Sequence, residues 1–387
     1  MHLPAMRNRR RMRLTSGASA VAPGPTRGGR LKLRWGGIGL LLLWLAGGAA
    51  LLVVATPLGR YLARAAWEEM RILRARQPIA RMVRDTTVAP ATRAKLALVL
   101  AARDFAEDSL GLPAKDAFTE FTQLERDTLL LVLSGARKDW LSRKTWWFPV
   151  VGRVPYKGYF ETDDALRAER NLAADGYDTY LRPASAFSTL GWFNDPLLST
   201  TLRSDSIFLV NTVIHELTHN RYYAKGEAVF NESFANFVGA RGTERFFRAR
   251  GDSASAAQSE ARAATSVARW HDDRLLGTYW ASLFSVLDST FRANPGDSLR
   301  DRRLALRDSV YADARRTLVD SIAPLFRALD AGYATRVRLD NAALMSRRIY
   351  LTGLEDFETI YAEESQDLER SIVRIIREHR SRPKNGP

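Results

Sequence analysis

The chain has 387 residues, 46% of them hydrophobic, and no cysteine. That length fits one large domain or two, and the missing cysteine excludes disulfides, a thiolate metal site and a cysteine nucleophile. The formal net charge of +15 points first to nucleic acid, but nine Lys and Arg residues and no acid fall in residues 1–34, leaving about +6 for the remainder. The excess belongs to a terminal tail, so nucleic-acid binding is set aside.

Residues 1–34, rich in Arg, Gly, Ala and Pro, read as a disordered basic tail. From Trp35 to Ala55 the chain is apolar and uncharged, with Leu40 to Leu45 and Leu51 to Val54 at its centre. About 20 such residues suffice to cross a bilayer as a helix. The positive-inside rule then predicts a cytoplasmic tail over 1–34, a transmembrane anchor over 35–56 and everything after Thr56 outside. A signal peptide cut near Ala46 to Ala50 or Ala55 is the competing reading; the long basic and apolar regions favour the uncut anchor.

A helix is predicted from Pro57 to Arg76, ending before Pro78, and an amphipathic one from Pro90 to Ser109, closed by Gly111 and Pro113. Residues 117–160 change character. Thr128 to Leu133, Trp146 to Gly152 and Tyr156 to Phe160 are short, aromatic or apolar, and punctuated by Gly and Pro, predicting a small sheet with tight turns. Asp163 to Ala174 reads as a helix and Tyr177 to Leu181 as a strand. A sheet edge beside a cleft holds an extended peptide by main-chain hydrogen bonds; which strand would do so is not specified.

The next helix, from about Leu202, carries His215-Glu216-Leu217-Thr218-His219. Residues four apart lie just over one turn from each other, so both imidazoles project from one face and reach one zinc ion. Glu216 points to the same side, where a carboxylate can take a proton from zinc-activated water. The chain has only five His, and the other positions here (Ile207, Phe208, Val210, Val213, Ile214, Leu217) are apolar. Polar groups in such a helix need partners. Glu232 opens a second apolar helix (Phe230, Phe234, Phe237, Val238), and a turn at Lys225-Gly226 brings it back as third ligand. The site therefore calls for His215, His219 and Glu232 as ligands of one Zn²⁺ and Glu216 as general base. Tyr223, four residues beyond His219, is the first candidate for oxyanion donor; Tyr222, Tyr350 and His271 are others. Glu227 and Asp195 are candidate anions for a substrate ammonium.

After Gly251 the pattern is nearly all helical: a solvated Ala-rich stretch at 254–268, a bundle pattern with charged outer faces over 277–330, and a further helix over 354–380. Glycine-rich phosphate loops are absent.

Gly59-Arg60-Tyr61, Arg76-Gln77-Pro78-Ile79, Trp147 to Gly152, Tyr156 to Phe160, Ser188 to Phe193, His215 to His219 and Phe230 to Ala235 occur in this order. The set resembles the bacterial predicted-aminopeptidase family of zinc-dependent enzymes, over most of residues 57–360. The resemblance implies a zincin-type metallopeptidase exported to the periplasm or envelope. Members of that family often carry a lipoprotein cysteine after the export signal, which this chain lacks. Asn231-Glu232 also resembles the third-ligand dipeptide of thermolysin-type zincins, in which an Asp four residues on orients a ligand His; here that position is Asn236, an amide that can accept from the ring N–H.

The expected fold is α+β and mostly helical: an N-terminal transmembrane helix, then a zincin-like catalytic core (57–250) with a small sheet, then a helical C-terminal part (251–387). The expected function is a membrane-anchored zinc peptidase of the bacterial inner membrane with its catalytic domain outside, acting on peptides as an aminopeptidase. An envelope endopeptidase and a non-catalytic helical scaffold are the alternatives.

Overall fold

A computed structural model of the chain describes residues 35–126, 128–148, 152–184, 196–250 and 256–382. The basic tail expected at 1–34, the motif at 188–193 and Asp195 lie outside the described residues. Two compact units form, Met1–Arg64 and Ala65–Pro387. The parts expected at 57–250 and 251–387 therefore share the second unit almost entirely.

Helix α1 (Trp35–Ala55) forms where the uncharged run predicts one. The transmembrane reading is nevertheless corrected, because among the described residues no helix is long and apolar enough to cross a membrane. With the anchor go the membrane as partner, the inner-membrane location and the periplasmic placement of the catalytic part.

Helix α2 (Pro57–Arg74) leads to α3 (Ile79–Arg84) and α4 (Pro90–Leu110). Pro90 at the first turn and Gly111 in the left-handed region at φ 62° delimit α4. Three small sheets follow. Strands β1 (Gln77–Pro78), β2 (Glu120–Thr122) and β8 (Leu197–Leu198) form one. Strands β3 (Leu130–Arg137), β6 (Tyr156–Tyr159) and β7 (Tyr177–Ala184) form an antiparallel sheet in the order β6-β3-β7. Strands β4 (Trp146–Phe148) and β5 (Gly152–Val154) pair as a hairpin. Helix α5 (Thr162–Ala174) covers one face of the second sheet, Leu172 pressing on Gly135, where a Cβ would meet it at 2.7 Å.

The short helix α6 (Ser199–Leu202) ends where Lys95 Nζ donates to the carbonyls of Leu202, Arg203 and Ser204. Helix α7 (Ser206–Arg221) then starts later than its apolar pattern suggests, because Asp205 accepts hydrogen bonds from the Ile207 and Phe208 amides and fixes the cap there. Helix α8 (Ala228–Ala249) returns along it. Two glycines set their separation: a Cβ at Gly239 would meet Asn211 at 3.2 Å, and one at Gly242 would meet Ile214 at 2.9 Å. Helix α9 (Ala256–Arg292) is a single 37-residue helix. Its Ala-rich start is not simply solvated: Ser259, Ala263 and Ser266 are buried, and Ser266 Oγ donates to the Ala240 carbonyl at 3.2 Å. Small side chains there permit close helix packing.

Helices α10 (Arg300–Thr317), α11 (Tyr333–Arg336), α12 (Asn341–Arg347), α13 (Leu354–Glu363) and α14 (Leu368–Ser381) complete the unit. The main core joins α4, α7 and α8 to α9, α13 and α14 through Val99, Val213, Leu217, Phe234, Phe237, Trp270 and Ile372. A second core lies between α9 and α10, around Trp280, Leu287, Phe291 and Leu318. The mostly helical α+β class thus stands as expected, with three small sheets in place of one.

Candidate functional site

The α7–α8 turn is built to hold its geometry. Tyr222 leaves the helix in extended conformation, Gly226 takes φ 85°, and the buried Asn231 side chain clasps Ala224, accepting from its amide and donating to its carbonyl, each at 2.8 Å. This clasp presents the next residue, Glu232, to α7. His215 Nε2 lies 3.3 Å from Glu232 Oε2 and His219 Nε2 lies 3.7 Å from Glu232 Oε1. One donor atom from each of the three residues falls within 4.8 Å of the others, the only such His/Cys/Asp/Glu group found among the described residues.

The electrostatics suit a cation. Burial, followed by the neighbouring His215, lowers the His219 ring to about 4, against a smaller upward pull from Glu232. Burial would raise Glu232, but the hydrogen bond and charge of His215 outweigh it and hold the carboxyl below its ordinary value. At neutral pH His219 is a neutral imidazole and Glu232 a carboxylate, the forms that bind metal. Tetrahedral ligands about 2.0–2.1 Å from a zinc ion sit about 3.3–3.4 Å from one another, close to both separations here. The donor set and its spacing fit a divalent metal.

Glu216 is exposed, one residue along from His215. Tyr223 sets the edge of its ring toward His219, centroids 6.0 Å apart, and is 60% exposed. Tyr350 is better enclosed. Asn236 Nδ2 donates to its carbonyl at 3.0 Å, and Ser233 Oγ ties down the flanking Ile349 carbonyl and Thr352 amide. Burial raises the Tyr350 hydroxyl, and the nearby charges of Glu232 and Glu216 add to the rise. The Asn236 amide group thus serves the Tyr350 turn, while His219 Nδ1 is buried with no hydrogen-bond partner among the described residues.

Other expected residues are elsewhere. The Tyr222 hydroxyl meets His379 Nδ1 at 3.0 Å, and His379 Nε2 meets Glu227 at 2.9 Å. His379 and Glu227, with Phe230, line a cavity of about 470 Å³ closed by α13 and α14. Phe230 and Glu232 are two residues apart on one helix, hence on nearly opposite faces, which separates this cavity from the metal ligands. His271 faces the Leu325 carbonyl at 3.2 Å.

Two groups were missed from the sequence. Tyr156 on β6 is raised by burial and then by Glu232 and Tyr223, and Arg182 on β7 acts on Glu232, Tyr156 and Tyr350. Tyr156 opens a motif of the resemblance that assigned it no role, and no local signal marks Arg182.

No curated protein and no solved structure matches the chain. The family described as "Putative aminopeptidase" matches residues 60–384, and the chain belongs to that family.

Proposed function

We propose that this protein is a zinc-dependent peptidase of the zincin type, acting as an aminopeptidase, with His215, His219 and Glu232 as metal ligands and Glu216 as general base. The observation that carries this reading is the convergence of two imidazoles and one carboxylate beside a second, exposed carboxylate. Zinc bound there supplies the Lewis acidity that polarises a scissile carbonyl and lowers the pKa of a water to about 7. Glu216 accepts the proton of the attacking water and returns it to the leaving amine nitrogen. A tyrosine O–H donates to the developing oxyanion. Tyr350, beside both Glu232 and Glu216, is the first choice for that donor, with Tyr223 at the edge of His219 as the second.

The test is hydrolysis of free and N-blocked peptides by the purified protein and by Glu216→Gln. The substitution should lower the rate by about 10²–10⁴-fold with zinc content unchanged. Equal rates would remove Glu216 from the mechanism. Equal cleavage of blocked peptides would favour endopeptidase action, and no cleavage of any peptide would favour a scaffold.

A further inference from the structure

The turn from α7 to α8 sets how far His219 stands from Glu232. His219 lies three residues before Tyr222, where α7 ends, and Glu232 lies five residues after Glu227, from which α8 starts. Between those two ends only Ala224 is buried. The Asn231 side chain ties the turn to α8 through Ala224. A second tie comes from the far end of the sequence.

His379, in the last turn of α14, meets both ends of the turn at once. Its Nδ1 lies 3.0 Å from the Tyr222 hydroxyl and its Nε2 lies 2.9 Å from Glu227 Oε2. A carboxylate oxygen only accepts, so in the neutral ring Nε2 donates to Glu227 and Nδ1 accepts from the Tyr222 hydroxyl. The same ring stacks on Phe230, centroids 3.6 Å apart, two residues before Glu232. Last turns of helices commonly fray, yet the His379 side chain is only 9% exposed. Helix α14 gives it a fixed platform. Asp367 caps the start by accepting from the Arg370 amide, Ile372 and Ile376 enter the main core, and Arg374 pairs with Glu363 and Glu364 at the end of α13.

We infer that His379 is a positioning residue for the metal centre. It touches none of the three ligands. By bridging Tyr222 and Glu227 and stacking on Phe230, it holds the turn that presents His219 and Glu232 to one ion. The inference rests on the proposed metal site and adds the C-terminal helix to what supports it.

The experiment measures zinc affinity of the full chain by competition with a chromophoric chelator, beside the unfolding midpoint of the metal-free protein. His379→Phe keeps a ring against Phe230 and removes both hydrogen bonds. It should weaken zinc binding by about 10–100-fold. A glutamine amide can accept from Tyr222 and donate to Glu227, so His379→Gln should recover most of that affinity although the stacked ring is gone. Ile372→Ala takes apolar packing from the same helix, seven residues away, and should lower the midpoint while leaving zinc affinity unchanged. Unchanged affinity in His379→Phe, an equal loss in Ile372→Ala, or a His379→Gln variant no better than His379→Phe overturns the inference. Tyr222→Phe removes a single oxygen and tests the same bridge if His379→Phe fails to fold: weaker zinc binding supports the role, and unchanged affinity overturns it. Failure of the metal reading looks different, because the unsubstituted protein would then bind no zinc, whereas failure of this inference leaves zinc bound equally with and without the bridge.

Discussion

Helix α8 carries two carboxylate environments that differ in how completely they are satisfied. Near its middle, Glu244 pairs with Arg241 and Arg248, and Arg241 also grips Glu358, which accepts from Trp270 Nε1 at 2.8 Å. Arg274 joins from α9. Near its start, Glu232 faces only two imidazoles, one of them with an orphaned ring nitrogen. The first arrangement is closed: each charge has its counter-charge, and the group ties α8 to α9 and α13. The second suits a cation. On the proposed reading, the carboxylates paired with arginines tie helices together, while Glu232 beside His215 and His219 holds a metal.

The contrast can be broken by removing one acid from each place. Glu358→Ala orphans Trp270 Nε1 and leaves Arg241 with Glu244 alone and Arg274 with Glu355 alone, and should lower stability by about 3 kcal/mol, read as a shift in the denaturation midpoint, with metal binding retained. Glu232→Ala in metal-free protein removes its hydrogen bond with His215 and should change stability by no more than about 1 kcal/mol. Equal losses would mean that the two carboxylates do the same structural work.

Acid sharpens the same comparison by a slightly smaller amount. The folded His219 titrates at about 4, against about 6.5 unfolded, because burial penalises its charge. Folding therefore favours the neutral ring, and the contribution is full above pH 6.5. It is lost as pH falls from about 6.5 to about 4, amounting to about 3 kcal/mol. Metal-stripped protein should lose thermal stability through that window, and His219→Gln should flatten the loss. The arginine-paired carboxyl of Asp139 behaves differently. Burial works against its charge, but hydrogen bonds from Arg137 and Arg303 hold it at about 2, so its contribution persists until pH falls below about 4. An unchanged pH profile for His219→Gln would contradict the account of the metal-free site.

The helical pairing of α7 and α8 was legible from the sequence because a 3.6-residue period, two His four apart and a later Glu are all local signals. The start of α7 was misplaced because Asp205 acts through a cap rather than through periodicity. The membrane span was read from the length of a run without charge, whereas among the described residues no helix is long and apolar enough to cross a membrane. The close approach set by Gly239 and Gly242 is visible only once α7 lies against α8. Arg182 and Tyr156 were beyond reach for another reason. Strands β6 and β7 are joined through β3, and only that pairing puts residues 26 positions apart on one face. Asn236 matched a ligand-orienting position by spacing, but its amide turns to the Tyr350 carbonyl.

The central claim is that His215, His219 and Glu232 together hold one metal ion. Its most direct measurement is zinc per chain in purified protein, beside Glu232→Ala and His219→Ala, after equal dialysis against a weak chelator. The account predicts one zinc in the unsubstituted protein and close to none in either variant. One zinc retained in both variants, or none in the unsubstituted protein after zinc loading, would contradict it.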